Sequence, residues 1–328
     1  MKSGKKNIMA LICLGIFLLA GSAAFGGCQV QGEDSRKARV ALIVKSTESA
    51  FWKSVQAGAS SASTEYNLRM SFQGPDSEED YETQNQMIQE AIEEGVEAIV
   101  FSAVDYNANS EAIQEAARKG IKIVVIDSDV NASQVSSRIG TDNFKAGFMA
   151  GEAALQADEE EIYIGIVNYD IHSANGQGRE AGFRECIAGD GRVKGVETIN
   201  VLSTTEDARE GTKEMLRNHP EINVIATFNE WTSLGVGWAI RDLGCKDEVW
   251  VTAFDSNAVS VGMLETGEVD NLIVQNPYAM GYLGVETAFD LISGRKKPEE
   301  WVVTETILVN RENMFQEECQ KILFPFNQ

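Results

Sequence analysis

Short apolar runs alternate with longer amphipathic stretches along most of this chain. The runs are rich in Val and Ile and are not broken by polar residues, which indicates strands buried on both faces of a parallel sheet. The predicted strands are 39–44, 68–73, 98–101, 122–126, 162–167, 196–201, 223–227, 249–253 and 271–274, followed by an extended segment at 301–309. The amphipathic stretches predict helices at 51–66, 76–94, 110–119, 178–187, 206–218, 233–243, 258–266 and 278–293. This alternation of strands and helices is typical of a doubly wound α/β fold.

The alternation occurs twice, so we expect two lobes, each with its own parallel sheet. The part of the chain after residue 38 has roughly 290 residues, which is enough for two cores. No low-complexity stretch separates the lobes, so short crossovers must join them.

The N-terminal segment has the layout of a secretory signal peptide. Three lysines precede an apolar run at 8–20, which is shorter than the roughly 20 residues that a spanning helix needs. Small residues then precede Cys28 and resemble a lipobox, although Phe25 stands where an aliphatic residue is usual. We predict a signal peptide at 1–27, lipidation of Cys28 that anchors the protein to the membrane from outside, and a polar tether at 28–37. An ordinary signal peptide with a chance cysteine is the alternative.

The chain is strongly acidic, with a formal net charge of −22 at pH 7. A polyanion of this kind repels nucleic acid and acidic lipid headgroups, so we expect no nucleic-acid partner. The simpler explanation of the charge is a solvated surface, and the charge does not identify a ligand.

Cysteine and histidine usage argues against metal and catalytic sites. Beyond Cys28 and the signal segment, Cys186, Cys245 and Cys319 remain, with no metal-ligand spacing and no disulfide framework, although one bridged pair stays open. The chain has only two histidines, which counts against His-based catalysis and His metal sites. We predict no catalytic residue, no metal and no cofactor.

Polar and aromatic side chains follow several predicted strands. In open α/β sheets, ligands bind beyond the carboxyl ends of the strands. The strand ends lead into Lys45–Trp52, Asp127–Ser128, Asn168–Tyr169, Phe228–Trp231, Asp255–Ser256 and Gln275–Asn276. Two such edges facing each other would form a cleft in which carboxylates and amides bind vicinal hydroxyls and aromatic rings cover C–H faces. The pattern predicts a site for a small polyhydroxylated ligand.

Several short segments of the chain have a distinctive order and spacing. They include Val40–Val44 with Phe51-Trp52, Gly95–Val100, Val124–Asp127, Ile139–Asn143, Gly178–Phe183, Phe228-Asn229, Ala253–Asp255 and Gln275. No single segment is specific, but together, over residues 38–310, they resemble the ribose/galactose-type periplasmic binding proteins of type I fold. The resemblance implies two lobes joined by three hinge crossovers, near 141–142, 275–276 and 304–306. The N-terminal lobe would then comprise 38–141 and 276–304, and the C-terminal lobe 142–275 and 305–328. It also implies a sugar receptor that is not an enzyme and that works with the permease subunits of an ABC importer.

The resemblance further implies which residues contact the ligand. Phe51 and Trp52 correspond to an aromatic pair that stacks on a sugar ring. The main polar contacts fall on Asp127, Asn229, Asp255 and Gln275. Ser49 occupies a position where the ribose binder has an amide, and Asp105 lies near the rim of the pocket.

The chain also departs from the family pattern. Ser128 and Gln177 stand where sugar binders carry arginines, and Lys45 stands where a small polar residue is common. Lys45 either neutralises Asp127 or meets an acidic or phosphorylated ligand. These three residues and Trp231 complete the candidate ligand-binding set, and Glu230, next to Trp231, is considered for the same cleft.

Simpler roles compete for some of these residues. Phe51 or Trp52 at helical spacing could belong to the core, and Asp127 or Asp255 could cap the next helix.

Other functions compete as well. A sensory receptor of the same fold, feeding a membrane kinase or chemoreceptor, has the same sequence features. A Rossmann-like enzyme would need a dinucleotide fingerprint or a nucleophile elbow, and neither motif is present. A transcriptional regulator with this core would need an N-terminal helix-turn-helix, where the signal peptide is predicted.

Overall fold

The computed structural model describes residues 37–324. The predicted signal peptide, Cys28 and the predicted tether up to residue 36 lie outside the described residues, as do residues 325–328. The strands are β1 (Arg39–Ile43), β2 (Arg69–Gln73), β3 (Ala98–Phe101), β4 (Lys122–Ile126), β5 (Ser137–Gly140), β6 (Ile162–Asn168), β7 (Val193–Asn200), β8 (Val224–Thr227), β9 (Trp250–Phe254), β10 (Asn271–Gln275), β11 (Trp301–Val303) and β12 (Thr306–Asn310). The helices in this part are α1 (Ala50–Glu65), α2 (Tyr81–Glu94), α3 (Ser110–Arg118), α4 (Asn143–Ala154), α5 (Ala174–Ile187), α6 (Thr205–Asn218), α7 (Glu230–Leu243), α8 (Ala258–Thr266), α9 (Pro277–Ser293) and α10 (Glu317–Leu323).

The strands form two six-stranded sheets with matching strand orders. The first sheet has the order β11-β5-β4-β3-β1-β2, and its neighbouring strands are all parallel. The second has the order β12-β10-β9-β8-β6-β7, in which only β12 is antiparallel to its neighbour. The chain passes between the sheets after β5, after β10 and after β11. The predicted fold of two doubly wound lobes joined by three crossovers is confirmed.

The three crossovers meet at one point. The hydroxyl of Thr141 donates to Oε1 of Gln275 at 2.8 Å and lies 3.4 Å from the hydroxyl of Thr306. Each residue belongs to a different crossover, so these hydrogen bonds join the connections about which the lobes would rotate.

The predicted extended segment at 301–309 is two strands in different sheets. Trp301–Val303 pairs in parallel with β5 of the first sheet, and Thr306–Asn310 pairs antiparallel with β10 of the second. Both halves have a strand-like composition, so the periodicity of the sequence carries no sign of the change of sheet between them.

Some elements are absent from the predictions or begin elsewhere. β5, α4 and α10 have no counterpart among the predicted elements. In the case of α4, the buried residues are alanines and glycines, which give a weak apolar signal in the sequence. α2 begins at Tyr81 instead of residue 76, and α5 begins at Ala174 instead of residue 178. The start of α5 decides which of its residues face the candidate site.

Each sheet is buried on both faces. In β1, Val40 and Leu42 pack into one apolar cluster, while Ala41 and Ile43 pack into another on the opposite face. This division follows from the two-residue repeat of a strand and explains the unbroken apolar runs in the sequence.

No helix among residues 37–324 is long and apolar enough to cross a membrane. Cys186, Cys245 and Cys319 are free thiols.

Two helix pairs approach closely through a glycine on each of the two helices, one pair in each lobe. A Cβ atom on Gly58 of α1 would overlap the backbone of α9, and one on Gly281 of α9 would overlap the backbone of α1. Gly147 of α4 and Gly182 of α5 have the same reciprocal arrangement. The second pair fixes α5, which carries side chains of the candidate site.

We expect Gly281→Ala to lower the free energy of unfolding by about 3 kcal/mol, because the added methyl group would meet the carbonyl group of Val55. Gly262→Ala on α8 is the matched control: its added Cβ meets no atom within 4 Å, and alanine should stabilise the helix by about 0.5–1 kcal/mol. Urea denaturation measures both changes. Equal stability of the two variants would contradict the close-packing interpretation.

Candidate ligand-binding site

The carboxyl ends of strands from both sheets face a cavity between the lobes, here called the interlobe cavity. Its volume is about 20 Å³. It is lined by Lys45, Ser49, Phe51, Trp52, Glu78, Asp127, Tyr169, Asn175, Arg179, Asn229, Glu230, Trp231, Asp255 and Gln275. A volume of this size accommodates about one water molecule, so a ligand as large as a monosaccharide can enter only if the lobes separate.

The structure brings most of the predicted site residues to the interlobe cavity. They are Lys45, Ser49, Phe51, Trp52, Asp127, Asn229, Trp231, Asp255 and Gln275. They come from both lobes, as expected from the strand ends on which they lie. Asp127 and Asp255 do not cap helices, since β4 is followed by a strand and α8 is capped by Asn257.

Three predicted residues lie elsewhere. The carboxylate of Asp105 accepts hydrogen bonds from the backbone N–H groups of Asn107 and Ala108, both at 2.7 Å, and so stabilises a turn. Ser128 is fully buried next to Asp127 but does not line the cavity, because neighbouring residues at a strand end point to opposite sides.

Gln177 is exposed on α5 and also does not line the cavity. Because α5 begins at Ala174, Asn175 and Arg179 are one turn apart on its buried face. Gln177 lies roughly 200° around the helix from Asn175. The family resemblance pointed to the segment that contains Gln177. Because of where α5 begins, Asn175 and Arg179 of this segment line the interlobe cavity and Gln177 does not.

Four lining residues were not among the candidates: Glu78, Tyr169, Asn175 and Arg179. Tyr169 follows a predicted strand end, so its position in the sequence indicated the site. Asn175 and Arg179 could have been found only from the correct start of α5. Glu78 lies in the loop before α2 and follows no strand directly, so the strand-end criterion could not find it.

The N-terminus of α1 brings three predicted side chains to the interlobe cavity. Ser49 caps the helix, accepting from the backbone N–H of Trp52 at 3.3 Å. Phe51 and Trp52 form an edge-to-face pair with ring centroids 4.9 Å apart. The indole N–H of Trp52 donates to Glu78 at 2.8 Å, which fixes the ring. Both aromatic residues pack into the core as well as lining the cavity.

Lys45 is almost fully buried, and its ammonium group is bound by other side chains of the protein. Its ammonium group lies 3.6 Å from Glu78, donates to the hydroxyl of Ser173 at 2.9 Å and sits 5.0 Å from the ring centroid of Tyr169. Burial lowers the pKa of Lys45, but attraction to Glu78 and other acidic neighbours outweighs it and leaves the pKa above its ordinary value. Lys45 therefore pairs internally, as one alternative from the sequence proposed, but its direct ion-pair partner is Glu78 and not Asp127.

Arg179 is 1% exposed and also makes only internal contacts. Its guanidinium group donates to Asn143 at 2.9 Å, to the backbone carbonyl of Phe228 at 2.6 Å and to Gln275 at 2.8 Å. It also lies 3.8 Å from Asp127. These bonds hold the ends of β8 and β10 against α5 and so shape one wall of the interlobe cavity.

Asp127 and Asp255 occupy corresponding places in the two lobes. Each follows the third strand of its sheet order, and each has a left-handed backbone, with φ of 56° and 67°. This conformation is strained for a residue other than glycine and is concentrated at functional sites. Burial raises the pKa of both carboxyl groups, in the case of Asp255 to about 7.

Asn229 and its neighbours link the end of β8, the N-terminus of α7 and the first lobe. The side chain of Asn229 accepts from the backbone N–H of Thr232 at 2.9 Å and so caps α7. Its amide group donates to Ser203 at 2.7 Å. The hydroxyl of Ser203 donates in turn to Glu78 of the first lobe at 3.2 Å.

Glu230 of the second lobe accepts hydrogen bonds from the N-terminus of a first-lobe helix. Its carboxylate accepts from the backbone N–H groups of Ala50 at 3.2 Å and Phe51 at 2.9 Å, and from the side chain of Asn257 at 2.8 Å. An anion is stabilised at a helix N-terminus by unpaired N–H groups and the helix dipole. This contact exists only while the lobes are closed.

Titratable groups gather in the interlobe cavity without forming a metal centre. No cluster of three or more His, Cys, Asp or Glu side chains suited to a metal ion occurs among residues 37–324.

Two lobes joined by short hinge strands, with a polar and aromatic cavity between them, define a protein that closes around a small ligand.

Comparison with known proteins identifies the family. The model of the periplasmic binding protein domain matches residues 40–296, so the chain belongs to the periplasmic binding protein family. The family consists of extracytoplasmic binding proteins, which confirms the predicted resemblance and the expectation that the chain is not an enzyme.

Individual relatives cover nearly the whole described part of the chain. A D-ribose/D-allose-binding protein of Pseudomonas aeruginosa is 25% identical over 83% of this chain and 87% of its own length. A carbohydrate transporter solute-binding protein from Agrobacterium radiobacter, solved with D-arabinose, is 27% identical, with a TM-score of 0.85 over 88% of this chain and 99% of its own. An ABC transporter solute-binding protein from Agrobacterium vitis, solved with D-fucose, is 29% identical, with a TM-score of 0.84 over 88% of this chain and 100% of its own.

We expect Glu230→Ala to shift the protein towards the open form, because two N–H groups of α1 lose their acceptor, at a cost of about 1–3 kcal/mol to the closed form. Small-angle X-ray scattering should show a larger radius of gyration. Glu206→Ala is the matched control, since Glu206 also lies in the first turn of a helix but is exposed. An unchanged radius of gyration in Glu230→Ala would show that this contact does not hold the lobes together.

Proposed function

We propose that this protein captures a monosaccharide or a close derivative outside the cytoplasmic membrane and delivers it to an ABC importer. The observation that carries the proposal is the composition of the interlobe cavity, which Phe51 and Trp52 line together with acid and amide side chains of both lobes. Aromatic faces suit the C–H side of a sugar ring, and carboxylates and amides suit its hydroxyl groups.

The relatives support a sugar as the ligand class. The two solute-binding proteins named above were solved with D-arabinose and D-fucose, and the Pseudomonas relative is a D-ribose/D-allose-binding protein. At 25–29% identity these proteins share the fold and the general function, while the individual sugar depends on side chains that differ. We therefore propose the sugar class and not one sugar.

Delivery depends on the difference between the open and closed forms. A ligand that binds both lobes stabilises the closed form by its differential affinity for that form. The closed form is then the one that permease subunits would recognise. The role in transport rests on membership of a family whose named relatives belong to ABC transporters.

We also propose that lipidation of Cys28 holds the protein at the membrane. The proposal rests on the sequence at residues 1–28, which has a basic start, an apolar run and small residues before the cysteine. A single acyl chain binds only marginally, so a stable anchor requires more than one chain on this cysteine.

We expect isothermal titration calorimetry against a panel of pentoses, hexoses, 6-deoxyhexoses and polyols to detect binding of at least one sugar. Asn229→Ala should weaken that binding by about 2–4 kcal/mol, because buried partners are left unpaired. Asn218→Ala, the same change at an exposed position, is the control. Thermal melts without ligand separate lost binding from lost folding. Binding of no sugar, or native affinity in Asn229→Ala, would refute the proposal.

We expect Cys28→Ala to move the protein from the membrane fraction to the soluble extracytoplasmic fraction, because the modified thiol is the only proposed attachment. Labelling with a radioactive fatty acid should stop in the same variant. Cys319→Ala is the control, because this buried thiol lies far along the chain and should not alter fractionation. Unchanged membrane association of Cys28→Ala would disprove the anchor while leaving sugar binding untouched.

A further inference from the structure

The charges around the interlobe cavity do not balance. Its lining contains four carboxylates and two basic side chains, namely Glu78, Asp127, Glu230, Asp255, Lys45 and Arg179. Buried charges are stable only when they are paired or well hydrogen-bonded. Each carboxylate must therefore have a partner in the protein or obtain one from the ligand. The following inference rests on the proposed sugar-binding function and specifies the class of sugar.

Two carboxylates are compensated by basic side chains. Glu78 lies 3.6 Å from Lys45 and accepts a hydrogen bond from the indole of Trp52 at 2.8 Å. Asp127 lies 3.8 Å from Arg179 and accepts from Asn175 at 3.0 and 3.1 Å and from Ser102 at 3.0 Å. Both basic residues of the cavity are thereby committed.

A third carboxylate is compensated by a helix. Glu230 accepts from the two N–H groups at the start of α1 and from Asn257, as described above. The N-terminus of a helix carries a partial positive charge equivalent to about half an elementary charge. Glu230 therefore requires no partner from a ligand.

Asp255 is the remaining carboxylate. It is 6% exposed and accepts a single hydrogen bond, from the amide group of Gln275 at 2.7 Å. Within residues 37–324, no basic side chain forms an ion pair with it, and Arg179 donates to other acceptors. The charged groups that act on it are Arg179, Glu230 and Asp127, and only the first favours its ionised form. Burial raises its pKa to about 7 and raises the pKa of Asp127 as well, so the two carboxylates are distinguished by their contacts and not by the direction of this shift.

We propose that the ligand supplies this counter-charge: an amino sugar or amino polyol whose protonated amine binds Asp255. A hydroxyl group can donate a hydrogen bond to Asp255 but leaves the excess negative charge in place, whereas an ammonium group removes it. A sugar acid or sugar phosphate would add negative charge to the same space, so the cavity disfavours these ligands. Lys45, which the sequence left as a candidate for an acidic ligand, is engaged by Glu78.

Calorimetry on the purified protein tests the proposal with four forms of one ring: D-galactose, D-galactosamine, N-acetyl-D-galactosamine and D-galacturonic acid. The glucose and mannose series are measured in the same way. In the series that binds, the free amine should bind about tenfold more tightly than the neutral parent, because hydrogen bonds to charged groups are stronger. The N-acetyl form, which has no charge, should lose this gain, and the acid should bind most weakly.

Two matched variants locate the effect. Asp255→Asn keeps the shape of the side chain and tolerates the left-handed backbone. It should abolish the preference, so that the amine and the neutral parent bind with about equal affinity. Asp127→Asn, at the corresponding position of the other lobe, should weaken the amine and its parent alike and keep the preference. Thermal melts confirm that both variants fold.

The outcomes separate the two proposals. If the neutral sugars of the panel bind as tightly as the amines in every series, the amine proposal is overturned and sugar binding stands. The same conclusion follows if Asp255→Asn retains the preference for the amine. If neither the amines nor any sugar of the wider panel bind, both proposals fail.

Discussion

The closed arrangement of this protein depends on hydrogen bonds that buried polar groups make across the cleft. Lys45 donates to Ser173, the amide of Asn175 donates to Asp127, and Glu230 accepts from the first residues of α1. In each case the two groups belong to different lobes. Separating the lobes exposes these groups to water, which can replace the lost bonds, so the closed and open forms differ by a small net free energy. Such a balance allows a small ligand to decide between them.

The two lobes repeat one backbone design but not its electrostatics. Asp127 and Asp255 follow corresponding strands and share a left-handed conformation that costs of order 1–3 kcal/mol. Around Asp127, an arginine and several hydrogen-bond donors compensate the charge, whereas Asp255 has one amide donor. The repeated backbone positions a carboxylate from each lobe at the interlobe cavity, and the two differ in the partners that surround them.

The sequence was sufficient for the fold because strands buried on both faces leave unbroken apolar runs, as in β1 and β4. It was sufficient for residues directly after strands, such as Asp127 and Asp255, because parallel strands end at a common edge. The sequence did not predict which residues of α5 line the cavity, because that depends on where the helix begins. A start at Ala174 places Gln177 at the surface and Arg179 in the cavity. The sequence also failed for Glu78, whose loop reaches the cavity only through tertiary packing.

Gln275 connects the interlobe cavity to the hinge crossovers. Its side-chain oxygen accepts from Thr141 in one hinge crossover and from Arg179, while its amide group donates to Asp255 in the interlobe cavity. A ligand group that donates to Asp255 competes with that amide for the carboxylate, and Gln275 also bonds to Thr141 at the point where the crossovers meet. Because the cavity is too small for a sugar in the closed form without rearrangement, the ligand must replace such internal bonds as it binds. Affinity is therefore set by the difference between bonds made and bonds displaced.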